Sequence, residues 1–96
     1  MEIKSGQPIA GQRFDFTIEG QRRGDRTKTV VVIDGKEVFA HDCDDPPCHE
    51  MFVIPPNARG KEMFIHAKSK LGEEVEAYVR ILDDDTDTDA GMMVGG

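Results

Sequence analysis

Near the end of the chain, Val75, Ala77, Val79 and Ile81 alternate without a break with Glu74, Glu76, Tyr78 and Arg80. A period of two sends successive side chains to opposite faces of an extended backbone, so this segment buries one face only as a strand. A helix across Lys68 to Arg80 is the main competitor, but Gly72 would cost it about 1 kcal/mol and the alternation favours a strand. The same period recurs where Phe14, Phe16 and Ile18 alternate with Arg13, Asp15, Thr17 and Glu19, and again where Met63, Ile65 and Ala67 share a face. Thr29-Val30-Val31-Val32-Ile33 is continuously apolar and β-branched, which predicts a central strand covered on both faces, Val32 included. Asp34-Gly35 is the strongest hairpin signal and should join this run to Lys36–His41. Met51–Ile54 predicts a further strand, stopped by Pro55-Pro56-Asn57. Turns are expected at Asn57–Gly60 and Leu71-Gly72. The result is an all-β chain, an antiparallel sandwich or barrel of six to seven strands.

Ninety-six residues make one domain with a modest core, in the size range where a cross-link helps. With no Trp, one Tyr and five Phe, that core must come mainly from Val, Ile, Met and Phe. The net charge of −7 is unevenly placed: the five Asp of residues 83–89 leave a body holding 12 basic and 14 acidic residues. A near-neutral body with an acidic tail excludes nucleic acid as a partner, since phosphate binding needs a basic surface. Arg22, Arg23, Arg26 and Lys28 form the one basic cluster and read as a solvated hairpin tip. No segment approaches the roughly 20 apolar residues that cross a bilayer. The first residues lack a signal peptide's apolar stretch, so a full-length chain would be cytoplasmic and a fragment of an exported protein extracytoplasmic. Residues 1–82 are expected to fold and 83–96 to form an acidic flexible tail. The tail's alternating Asp residues resemble the start of a calcium loop, but Ala90 and Gly96 stand where that loop needs Gly and Glu.

Chemistry is concentrated in His41-Asp42-Cys43-Asp44-Asp45-Pro46-Pro47-Cys48-His49-Glu50, which holds both cysteines and two of the three histidines. Three readings stand. A disulfide between Cys43 and Cys48 would clip the loop and fix a crossover between sheets. A zinc site could draw on His41, Cys43, Cys48 and His49, two thiolates and two imidazoles. Against it, the four ligands crowd into nine residues and a strand would point His49 away from Cys48, in which case His66 is a substitute. The third reading is two free thiols in an exposed loop. Catalysis is not expected: the surrounding Asp42, Asp44, Asp45 and Glu50 would raise a cysteine pKa, and no oxyanion hole is marked. Arg23-Gly24-Asp25 is an integrin-type tripeptide, and Gly95-Gly96 a ubiquitin-like terminus, on two or three residues each.

Val32-Ile33-Asp34-Gly35-Lys36-Glu37-Val38, Phe52-Val53-Ile54-Pro55 and the stretch Gly60–Gly72 resemble a bacterial immunoglobulin-like domain across Val30–Leu82. The resemblance implies a two-sheet sandwich used for adhesion, assembly or presentation, without catalysis and without a cofactor. The widely spaced cysteines and core Trp of antibody domains are missing. Gly35-Lys36-Glu37-Val38-Phe39 is also similar to a strand of the immunoglobulin-like partner subunit of the bacterial thiosulfate-oxidation carrier. Two functional expectations follow: a noncatalytic module binding a protein partner, or a small zinc-binding protein using the His41–His49 loop.

Overall fold

Asp34 and Gly35 both take positive φ, +55° and +78°, the geometry that lets a two-residue loop reverse a twisted strand pair. They join β3 (Thr27–Ile33) to β4 (Lys36–Cys43). In the computed structural model, which describes residues 1–83, five further strands surround this hairpin: β1 (Glu2–Ser5), β2 (Arg13–Glu19), β5 (Cys48–Val53), β6 (Glu62–Ser69) and β7 (Glu74–Arg80). A short 3-10 turn, Pro56–Ala58, lies between β5 and β6 and overlaps the turn expected at Asn57–Gly60.

Two antiparallel sheets result, one of three strands in the order β1-β2-β5 and one of four in the order β4-β3-β6-β7. The alternating residues face one another across the gap. Phe14, Phe16 and Ile18 of β2 pack with Val31 and Ile33 of β3 and with Met63, Ile65 and Ala67 of β6, all buried. Rings close the space between layers: Phe16 meets Phe39 edge-on at 6.3 Å, and Phe39 stacks on Phe52 at 5.3 Å. Each fully buried aliphatic or aromatic side chain here contributes roughly 1.5–3 kcal/mol.

Two expectations need correction, and one strand is unexpected. β3 is central in its sheet but covered on one face only: Val31 and Ile33 are buried, while Val30 and Val32 lie half-buried on the outer face. A continuous apolar run does not say which alternate residues meet a second layer. Residues 20–26 are not a hairpin tip. They carry the chain from β2 in one sheet to β3 in the other, and Lys28 belongs to β3 itself. Finally, β1 is a strand the sequence hides, because Ile3, paired with Ile18, is the single apolar residue among its four.

The register of β3 against β4 shifts between Val31 and Val32, leaving Val38 as the extra residue of a bulge. The bulge turns Phe39 inward opposite Val31, which puts His41 and Cys43, two and four residues later, on the same inward side opposite Thr29 and Thr27. At the far end of the molecule Ile9 and Leu82 form a parallel bridge, with Leu82 donating to the Pro8 carbonyl at 2.9 Å and accepting from Ala10 N–H at 3.0 Å. The acidic tail, its calcium reading and Gly95-Gly96 fall outside the described residues, apart from Asp83.

Candidate functional site

β4 is an edge of the four-stranded sheet and β5 an edge of the three-stranded sheet, so the chain between them turns a corner from one layer to the other. Cys43 closes β4, Cys48 opens β5, and a disulfide joins them with Cα atoms 6.0 Å apart. Both sulfurs are inside, Cys48 almost completely. The bridge therefore ties the two sheets together at this corner.

Alternation places a partner two residues from each cysteine. His41 precedes Cys43 on β4, and Glu50 follows Cys48 on β5, opposite Phe16 of β2. Glu50 is 5% exposed although it carries a carboxylate. Burying such a charge is costly unless it is paired, and His41 supplies the pair: its Nδ1 lies 3.0 Å from both carboxylate oxygens. The hydrogen bond that His41 donates to Glu50, and then the charge of that carboxylate, raise the His41 pKa above the usual imidazole value, with Asp42 and Asp44 adding to the effect. The Cys43 and Cys48 sulfurs and a Glu50 oxygen all lie within 4.8 Å of one another.

Neighbouring chain secures the corner. Gln21 donates from Nε2 to Thr27 Oγ1 and to Cys48 Sγ, both at 3.3 Å, and Arg26 Nε meets Asp44 Oδ1 at 2.6 Å. Of the four residues the sequence suggests as metal ligands, the two cysteines meet here, His41 joins them through Glu50, and His49 does not. It points to the outer face of the three-stranded sheet, with Nδ1 3.4 Å from Thr17 Oγ1. His66 is no substitute, since it lies on the outer face of β6 with Nε2 2.8 Å from Glu74 Oε1. In the sequence Glu50 reads only as a charge disfavouring thiolate. Its two-residue spacing from Cys48 is the signal that could have placed it beside the sulfurs. Asp25 of the integrin-type tripeptide is buried, 4% exposed, and so is not presented to a partner.

A second feature is the outer face of β3, β6 and β7. Backbone pairing sets Lys28 opposite Lys68, Val30 opposite His66 and Val32 opposite Phe64, and Lys70 N–H donates to the Arg26 carbonyl at 2.8 Å one step further on. The strip is thus charged at one end, where Lys28 also faces Asp42 and Lys68 faces Glu74, and apolar at the other. At the apolar end Phe64 packs on Tyr78 with ring centroids 4.8 Å apart, and Tyr78 is 64% exposed. Toward the charged end an open groove of about 500 Å³ runs between Arg26, Lys28, Val30, Asp42, His66 and Lys68.

Among the described residues no helix is long and apolar enough to cross a membrane. No protein-family model matches the chain, and no curated protein matches it in sequence. The solution structure of the sensor domain of the anti-sigma factor RsgI4 of Pseudobacteroides cellulosolvens is similar in fold, with a TM-score of 0.50 and 9% sequence identity over 85% of this chain and 75% of that one. At that identity the likeness is one of fold: an all-β domain of two packed antiparallel sheets.

Proposed function

We propose that this chain is a noncatalytic immunoglobulin-like binding module that holds a protein segment on the outer face of its four-stranded sheet. The strand order supports the immunoglobulin-like reading: β1-β2-β5 and β4-β3-β6-β7 correspond to strands A-B-E and C′-C-F-G of that architecture. The RsgI4 domain, a sensor by name, supports a sensing or binding role over a catalytic one. With both cysteines in a disulfide, neither is a thiolate nucleophile in this state. The disulfide also supports an oxidising, extracytoplasmic setting.

The observation that carries the proposal is the exposed Tyr78 ring on Phe64, on the same face as the Lys28–Lys68 pair of β3 and β6. An exposed aromatic anchor beside unlike chemistry is the composition of an interaction surface. Lys28 and Lys68 face each other directly and each also faces a carboxylate across the sheet, Asp42 and Glu74, so an acidic ligand competes with those side chains for the lysines. The fitting partner is therefore an extended segment with acidic residues at one end and an apolar or aromatic residue at the other.

Selection of peptides from a random display library against the full chain tests this. Recovered peptides should combine acidic and aromatic residues and shift backbone amide resonances of β3, β6 and β7. Tyr78→Ala and Lys68→Glu should each weaken them while leaving the fold intact. Peptides whose shifts map to the three-stranded sheet, or that bind both variants unchanged, refute the proposal.

A further inference from the structure

We infer that the corner between β4 and β5 is a redox-gated zinc site: once its disulfide is reduced, Cys43, Cys48, Glu50 and His41 bind one Zn²⁺. The inference stands apart from the sheet-face reading, because it uses the inward sides of β4 and β5.

The geometry comes from two matched pairs. His41 and Cys43 lie two residues apart on the inward side of β4, and Cys48 and Glu50 two apart on the inward side of β5. The corner folds one strand's pair over the other's. Three ligand atoms already lie within 4.8 Å of one another, and His41 Nδ1 is 3.0 Å from Glu50. Tetrahedral zinc, with bonds of about 2.0–2.3 Å, needs its ligand atoms roughly 3.3–3.8 Å apart. Two sulfurs released from a covalent bond move apart toward that spacing and Glu50 closes by about 1 Å, while His41, held by Glu50 but outside the 4.8 Å cluster, turns further to reach the ion.

The chemistry is complementary. Two thiolates, one carboxylate and one neutral imidazole are a donor set zinc accepts, and Asp42, Asp44 and Asp45 add favourable negative charge. The Gln21 amide that now donates to Cys48 Sγ would do the same for a thiolate ligand. His41 is more than half exposed at the sheet edge, which gives the ion a way in from solvent. The reductant is a dithiol. Its two thiols pass two electrons and two protons to the Cys43–Cys48 bond and leave as its own disulfide. Zinc then displaces the two cysteine protons to solvent as both Zn–S bonds form.

Anaerobic titration of the reduced full chain with Co²⁺, followed by competition with Zn²⁺, reads the site through thiolate-to-cobalt charge-transfer absorption. One equivalent should bind, and the oxidised chain should bind none. Cys48→Ser should abolish the charge-transfer band, while Glu50→Gln and His41→Ala should each weaken binding at least about tenfold. His49→Ala should leave affinity within about twofold. Circular dichroism guards against a reduced chain that has unfolded: zinc must then restore the oxidised protein's spectrum. No uptake by reduced protein, equal uptake by oxidised protein, a His49→Ala loss as large as that of Glu50→Gln, or an unfolded reduced chain that zinc fails to refold would each overturn the inference.

Discussion

Reducing the Cys43–Cys48 bond in the presence of a chelator isolates what the cross-link does for the fold. The two cysteines are five positions apart, so the bond closes a ring of six residues in the unfolded chain. On the chain-entropy relation a ring of that size removes about 7 cal/mol/K from the denatured ensemble, or about 2 kcal/mol at 25 °C. Both cysteines are buried in the bonded state, and taking reduction to leave that burial in place makes the chain term the dominant one. For a domain of this size each kcal/mol moves the thermal midpoint by roughly 4–8 °C, so the reduced protein should melt roughly 8–16 °C below the oxidised one. Paired calorimetric scans of the same preparation, with and without a phosphine reductant, measure this directly. Equal midpoints would mean that the corner opens locally before the domain unfolds, and the claim that the bridge secures the two sheets would fail.

Val31→Ala should cost about 2 kcal/mol or more in urea denaturation, because Val31 is fully buried between layers, whereas Val32→Ala on the outer face should cost less than about half as much. Gly35→Ala should destabilise by about 1 kcal/mol on the same measurement, since φ of +78° is strained for any residue with a Cβ. The His41–Glu50 pair should make stability fall as pH rises: the folded-state pKa of His41 lies above the unfolded value of about 6.5, so its contribution is complete below that pH and is lost as pH climbs through the folded value. Denaturation midpoints of the oxidised protein between pH 5.5 and about 8.5 should show this slope. His41→Ala should flatten it, and an unchanged slope in that variant would remove the pairing argument.

Much of this architecture is legible because alternation is a local property. Phe14-x-Phe16-x-Ile18 and Met63-x-Ile65-x-Ala67 define their inward faces without knowledge of the partner strand, and Asp34-Gly35 names its own turn. What stays hidden depends on pairing across long separations. The outer half of β3 looks as apolar as its inner half, and among the described residues no third layer covers Val30 and Val32, which stay half-buried. β1 carries too little pattern to declare itself and exists because β2 offers it an edge. At the corner, the disulfide is among the readings of the sequence. Glu50 as an inward partner of His41 is not, since it requires the bulge at Val38 and the meeting of two edge strands from different sheets.

The parallel bridge between Ile9 and Leu82 gives the domain a direction of mechanical strength. Tension entering from the chain beyond Leu82 meets the bonds to Pro8 and Ala10 lengthwise, so both must yield together before β7 can peel away from β6. Antiparallel pairs at an edge, pulled from a free end, unzip rung by rung and resist less. Once the bridge gives way, the strands can extend fully except for the segment inside the Cys43–Cys48 ring, which stays short by the four residues it encloses. Stretched between its ends, the oxidised domain should hold to a threshold load and then extend by a length about 10–15 Å shorter than that of the reduced one.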